Sequence, residues 1–319
     1  MGIDVVVSQW GEAIDATLRE RLPELEIVSV PRGVPQLFPS RPYALLALPI
    51  KPEPPFDHQA PDGWPRALRW VQLASVGIDN YPRWLLDAPL VTTANGTSSE
   101  VIAEFALACI LAANKSLPER WIASPEQWRL SAAPPLRGSV LGLVGFGGIG
   151  RALATKALAL GMRVSALRRS GAVGAGLDGV EQAIDIADLF ARADHVVLAA
   201  PGTPETRHIV NREVLRHAKP GLHLVNVARG SLVDQAALIE ALAEGRVTRA
   251  SLDVTEPEPL PAGHPFYTHP RVRLSPHTSA ISAAQQDALV EKFVNNLQRW
   301  RAGEPLHDVV DAARIARGY

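Results

Sequence analysis

An arginine, several carboxylates and a histidine stand in three short segments: Asn226-Val227-Ala228-Arg229-Gly230, Asp253-Val254-Thr255-Glu256-Pro257-Glu258-Pro259 and Ser275-Pro276-His277-Thr278. Each segment closes or follows a short β-branched run, namely Leu222–Val227, Ala250–Val254 and Val272–Ser275. Ligands of open parallel α/β sheets bind at the carboxyl ends of the strands, so the three groups are predicted to converge on one crevice. Reduction of a 2-keto acid needs those types: a cation for the carboxylate, a proton donor for the carbonyl oxygen, and a carboxylate to hold the donor.

A cofactor loop stands upstream. Gly145-Phe146-Gly147-Gly148-Ile149-Gly150 follows the run Val140–Val144 and opens a helical stretch at Arg151. A lone GxGxxG marks only a glycine turn; a strand before it and a helix after it make a dinucleotide fingerprint. The helix start supplies N–H donors and positive dipole to a pyrophosphate. The next strand, Arg163–Leu167, leads into Arg168-Arg169-Ser170, where an acid would normally hold the adenosine ribose. Two guanidiniums and a hydroxyl suit a 2′-phosphate instead, so NADP(H) is expected in preference to NAD(H). The plain alternative is a pair of solvated surface arginines.

These groups need a scaffold. Six runs, Val140–Val144, Arg163–Leu167, His195–Ala200, Leu222–Val227, Ala250–Val254 and Val272–Ser275, alternate with helix-forming stretches such as 151–160, 185–192 and 235–244. Of the 27 prolines, 13 precede residue 90 and none lies between Leu136 and Ala200, which leaves that block free for uninterrupted elements. The pattern predicts a doubly wound parallel sheet. A shorter version occupies the first 95 or so residues, with strands at Ile3–Val7, Ile27–Val30, Ala44–Leu48, Trp70–Leu73 and Leu90–Thr92, and Pro-rich loops such as Pro49–Pro55. Helices from near Ser99 and over Ala283–Arg301 flank the central block. Thr97 and Glu100 have capping-box spacing, and the following VIAEFALACILAA is apolar nearly all round, as in a central core helix or one shared with a second subunit.

Composition narrows the function. The 319 residues carry a net charge of -1, which gives no basic field for nucleic acid or an anionic membrane. No apolar run reaches the ~20 residues that span a bilayer. One cysteine, Cys109, excludes a disulfide framework and points to a reducing compartment, the cytoplasm. No His, Asp or Glu grouping has metal-ligand spacing.

The segments LRGSVLGLVGFGGIGRALA, PGTPETRHIV, HLVNVARGSLVDQAALIEALAEGR, ASLDVTEPEPLPAGHPFY and RVRLSPHTSA, in that order, closely resemble the D-isomer-specific 2-hydroxyacid dehydrogenase family. Weaker likenesses lie in LASVGIDNYP and SSEVIAE. The resemblance implies a Rossmann nucleotide-binding domain, residues 98–282, inserted into a flavodoxin-like substrate domain, residues 1–97 and 283–319, in a homodimer. It implies Arg229 as the arginine of the substrate carboxylate and carbonyl, His277 as the catalytic histidine and Glu258 as its acid. Glu256 is the competitor; spacing and the following Pro259 favour Glu258. Val76-Gly77 resembles the backbone-donor turn for the substrate carboxylate. Asp253 is similar to the contact of the nicotinamide carboxamide. Ser99, Pro201, Thr206, Val227 and Ala228, with Gly145, Gly147, Gly148, Ile149 and Gly150, are implied to line the cofactor. Arg168 departs from the Asp of most NAD-using members.

The implied reaction is hydride transfer between NADP(H) and a small 2-keto or 2-hydroxy acid, of which glyoxylate and hydroxypyruvate are expected. A nucleotide-sensing binding protein or co-repressor on the same fold is the alternative, and the full Arg229, Glu258, His277 set argues against it. Formate oxidation would need an amide at Ser98 and Gln at Glu258. His264 and His269 read as loop or rim residues; His58, His208, His217, His223 and His307 as structural; His195 as a strand-boundary residue; Cys109 as packing.

Overall fold

The computed structural model describes residues 2–36, 38–49, 59–169 and 177–317. Ser170, His58 and most of the loop 49–55 lie outside the described residues. Two units are distinguished by their internal contacts: Met1–Ser98 with Ser282–Tyr319, and Ser99–Ile281.

The first unit opens with five parallel strands: β1 (Val5–Ser8), β2 (Glu26–Ser29), β3 (Tyr43–Ala47), β4 (Leu68–Leu73) and β5 (Val91–Thr92). Their spatial order is β2-β1-β3-β4-β5, the 2-1-3-4-5 order of flavodoxin-like sheets. All five residues of β3 are buried, as a strand covered on both faces requires. Helices α1 (Glu12–Arg21) and α2 (Arg83–Leu86) belong to this part of the chain.

The second unit holds β6 (Val140–Val144), β7 (Arg163–Leu167), β8 (Val180–Gln182), β9 (His195–Leu198), β10 (Leu222–Asn226), β11 (Val247–Leu252) and β12 (Val272–Leu274). They run parallel in the order β12-β11-β10-β9-β6-β7-β8. Counted within the unit this is the 3-2-1-4-5-6 Rossmann order with one more strand, and it reverses between β6 and β9, the point at which sheets of this order bind their ligands. Helices α3 (Ser99–Lys115), α4 (Leu117–Arg120), α5 (Gly148–Ala159), α6 (Ile186–Arg192), α7 (Arg212–Arg216) and α8 (Gln235–Ala243) complete it. α3 and α5 cover one face through Ala103, Ala106, Ile110, Leu153 and Ala157; α6, α7 and α8 cover the other through Leu189, Phe190, Val214, Leu238 and Leu242. Asp185, Asn211 and Asp234 cap α6, α7 and α8 by accepting from the third amide on.

The chain ends in the first unit with α9 (Ala283–Ala302) and α10 (Ala312–Arg317). Ser282 caps α9, and Gly303, in the left-handed region at φ 71°, ends it. Phe293 of α9 stacks on Trp70 of β4 with ring centroids 4.9 Å apart. Truncating such a buried ring to alanine costs about 3–5 kcal/mol.

Four expectations need correction. The second sheet has seven strands, because β8 (Val-Glu-Gln) is an edge strand too polar to be read as one. β9, β10 and β11 end at Leu198, Asn226 and Leu252, short of the apolar runs, and β11 begins three residues early at Val247. Val227 and Val254 are buried just past the paired residues, so the apolar run recorded burial beyond the ladder. The capping box does not form: α3 starts at Ser99, the Thr97 hydroxyl donates to Ala94 O, and Glu100 takes Lys156 Nζ at 2.6 Å.

Candidate active site

The glycine loop joins β6 to α5. Gly145 has φ 103°, and a Cβ there would lie 2.7 Å from the Ala199 carbonyl carbon, so only glycine fits. Gly147, the N-cap of α5, makes no side-chain cap, and a Cβ on it would meet nothing within 4 Å. The helix that starts at Gly148 has twelve residues, and its first amides, those of Gly148, Ile149 and Gly150, precede the first backbone bond, Arg151 N to Gly147 O. Ser99 Oγ lies against Gly148. The open space at Gly147, at the start of an uncapped helix, fits a dinucleotide pyrophosphate. At the end of β7, Arg168 and Arg169 are both exposed.

Beyond β10, the buried Asn226 shapes the turn that carries Arg229. Its Oδ1 accepts from Ala228 N at 3.0 Å and its Nδ2 donates to Arg229 O at 2.8 Å. Arg229 Nη1 donates to Ala228 O at 2.8 Å. A Cβ on Gly202 would lie 3.0 Å from Arg229 Cγ, so that glycine gives room to the arginine stem. Gly230 packs still closer: its Cβ would fall 2.0 Å from the Thr255 carbonyl carbon. The loops after β10 and β11 thus meet backbone to backbone.

Glu258 and His277 come together. Glu258 Oε2 is 2.8 Å from His277 Nδ1, and Glu258 Oε1 accepts from Thr255 N at 3.1 Å. A carboxylate accepts only, so Nδ1 carries the proton and Nε2 is left for a reacting group. The Glu258 hydrogen bond, opposed by burial and by the Arg229 charge, holds the imidazole above its ordinary pKa. Glu256 is engaged elsewhere: its carboxylate accepts from Arg207 Nη1 at 2.8 Å and its carbonyl from Gln235 Nε2 at 2.5 Å.

A signal that sequence reasoning missed lies behind His277. Its backbone sits at φ 54°, a left-handed conformation that costs about 1–3 kcal/mol for a residue other than glycine. Asp253 holds it there. His277 N donates to Asp253 O at 2.9 Å; Ser275 Oγ and Thr278 N donate to Asp253 Oδ1 at 2.6 and 2.9 Å; Ser279 N donates to Oδ2 at 3.0 Å. Asp253, expected only as a cofactor contact, is built as the clamp of the histidine loop.

The remaining expected residues fall as follows. Thr206 Oγ1 donates to Pro201 O at 2.7 Å and accepts from Thr203 N at 2.8 Å, which fixes the turn after β9. Val227 and Ala228 are buried beyond β10. Val76 and Gly77 lie in a turn of the first unit, after β4. His264 and His269 each accept a backbone amide two residues on, as loop residues do. His195 and His223 are buried side by side, their Nδ1 atoms 3.2 Å apart. Cys109 is half-buried, and burial pushes its thiol up to about 11.

Residues 107–279 match the model of the D-isomer specific 2-hydroxyacid dehydrogenase NAD binding domain, more than half of the chain. The chain belongs to this family. Among curated relatives, it is 31% identical over 310 residues to glyoxylate/hydroxypyruvate reductase A of Serratia proteamaculans, covering 93% of both chains. It is 36% identical over 251 residues to D-3-phosphoglycerate dehydrogenase of Mycobacterium tuberculosis, but covers only 47% of that enzyme, so the chain spans about half the length of those relatives. A D-isomer specific 2-hydroxyacid dehydrogenase of Xanthobacter autotrophicus, solved with NADPH and MES, superposes with a TM-score of 0.81 at 28% identity over the whole of both chains. Family members share an NAD(P)-binding domain, and in this chain the glycine loop, Arg229, Glu258 and His277 all fall within the matched residues.

Proposed function

We propose that the chain is an NADPH-dependent reductase of small 2-keto acids, of the glyoxylate or hydroxypyruvate type, giving the 2-hydroxy acid and NADP+. The observation that carries this reading is the His277–Glu258 pair at 2.8 Å, with Arg229 close enough to act on its charge. Bound NADPH supplies the hydride. His277 enters protonated and gives its Nε2 proton to the carbonyl oxygen, and Glu258 stabilises the imidazolium beforehand. The Arg229 fork pairs with the substrate carboxylate and polarises the carbonyl. The Val76–Gly77 turn is read as a source of backbone donors for a substrate carboxylate. Arg168 and Arg169, with Ser170, receive the 2′-phosphate.

The second unit is read as the cofactor domain and the first as the substrate domain. The named activity of the Serratia relative supports the choice of substrate. A cytoplasmic homodimer completes the proposal. α3 leaves Ala108 exposed and Ile102, Phe105, Leu107 and Leu111 only part-buried, and Trp121, Trp128 and Leu130 are 73%, 75% and 98% exposed just beyond it. Such an apolar surface calls for a cover.

Initial rates on a panel of 2-keto acids, each with NADPH and with NADH, test the proposal. Highest kcat/KM for glyoxylate or hydroxypyruvate with NADPH is expected. No turnover of any 2-keto acid with either cofactor overturns it.

A further inference from the structure

In the first unit, the turn Ser75–Gly77 has each of its carbonyls tied to the protein. Ser75 O accepts from Ala94 N at 3.0 Å, Val76 O from Arg314 Nη2 at 2.7 Å, and Gly77 O from Ser75 Oγ at 2.7 Å. In a trans peptide the N–H points opposite to the C=O. Fixing the Ser75 carbonyl therefore aims the Val76 amide, and fixing the Val76 carbonyl aims the Gly77 amide. Those two amides belong to the turn read above as the holder of the substrate carboxylate.

One tie lies within the turn, and one comes from Ala94, two residues past β5. The third comes from α10, 238 residues away in sequence. Arg314 is braced for it: its backbone N donates to Asp311 Oδ1 at 2.6 Å and its Nη1 to Thr93 Oγ1 at 3.3 Å, beside β5. Tyr81, whose hydroxyl accepts from Ala74 N at 3.2 Å, fixes the near end of the turn.

We propose that Arg314 is a positioning residue for substrate: by holding the Val76 carbonyl it orients the Gly77 amide toward the carboxylate of the 2-keto acid. This rests on the reading of Val76–Gly77 as the carboxylate turn. The guanidinium touches no reacting atom, so its effect falls on binding and not on the chemical step.

The test is steady-state reduction of glyoxylate at saturating NADPH by the full chain and by Arg314→Met, Arg314→Lys and Gly77→Pro. Arg314→Met is expected to raise KM about tenfold, the weight of one charge-assisted hydrogen bond, with kcat within about twofold and the Kd of NADPH unchanged. Arg314→Lys keeps one donor and is expected to recover part of the KM. Gly77→Pro deletes the amide itself and is expected to raise KM at least as much. A raised KM in Gly77→Pro with an unchanged KM in Arg314→Met overturns the proposal and leaves the reading of the turn standing. An unchanged KM in both overturns the reading and the proposal with it. A lowered Tm with KM and kcat untouched in Arg314→Met marks a merely structural arginine and also overturns the proposal, whether or not Gly77→Pro folds.

Discussion

Glu258 Oε2 lies 2.8 Å from His277 Nδ1, while Glu256, two residues earlier, is spent on Arg207. A raised imidazole pKa keeps the proton donor loaded to higher pH, so reduction is expected to fall as pH rises through that value. Glu258→Gln removes the largest cause of the rise, and the falling limb of kcat/KM for reduction should move toward acid. His277→Ala should lower the rate about 10²–10⁴-fold with NADPH affinity nearly unchanged. pH profiles of both variants check this; near-full turnover by His277→Ala would remove the histidine from the role.

Arg229→Lys keeps the charge and loses the planar fork. Both KM and kcat for a 2-keto acid should worsen, since lysine cannot pair bidentately with a carboxylate. A comparison of the keto acid with its amide reads the same clamp from the substrate side. Equal efficiency on the two would exclude a carboxylate pair.

Arg168 at the exposed end of β7 offers donors to a phosphate and no acceptor to ribose hydroxyls. NADPH is expected to exceed NADH by at least about tenfold in kcat/KM, as one charge-assisted hydrogen bond of roughly 1.5–3 kcal/mol implies. Arg168→Asp should erase or reverse the preference and leave kcat at saturating NADH largely intact. Paired cofactor titrations decide it, and a wild-type preference for NADH would return the arginines to solvent.

Ala108 is exposed on α3 among part-buried apolar neighbours. Ala108→Glu should convert a dimer into unstable monomers or aggregates. Light scattering of the unaltered protein as a stable monomer at micromolar concentration would contradict the expected dimer.

His195 and His223 carry a second pH dependence, one of stability. Burial, chiefly, lowers His195 to about 4 and His223 to about 3; the nearby Asp194 opposes it for His195, and the His195 and then the Arg249 charge add to it for His223. Above the ordinary value of 6.5 both rings are neutral in either state and no penalty arises. As pH falls below 6.5 toward 4, the unfolded chain takes up protons that the folded chain refuses, so stability declines. His195→Gln with His223→Gln should flatten the fall of Tm across that window. An identical slope in wild type and double variant would assign the acid sensitivity to other groups.

Much of the candidate site was legible in the sequence because its parts are local. A glycine loop between a β-branched run and a helix, and charged residues just past three apolar runs, need only neighbouring residues to be recognised. The Asp253 clamp was not legible, since its partners Ser275, Thr278 and Ser279 lie 22–26 residues downstream and none has a distinctive spacing. β8 escaped because an edge strand needs apolar residues on one face at most. The tie from Arg314 to Val76 depends on the chain's return to the first unit, which no local pattern records.

The close approach at Gly230 fixes the backbone spacing between the loop that carries Arg229 and the loop that carries Glu258. These loops follow the adjacent strands β10 and β11 and abut at Gly230 and Thr255 with no side chain between them. On the proposed function, that backbone spacing is set by the ends of two paired strands and stays the same whatever the keto acid carries beyond its second carbon. A lineage that changed its substrate could do so by rebuilding the walls around this fixed calliper; widening the calliper itself would mean prising two strands' ends apart.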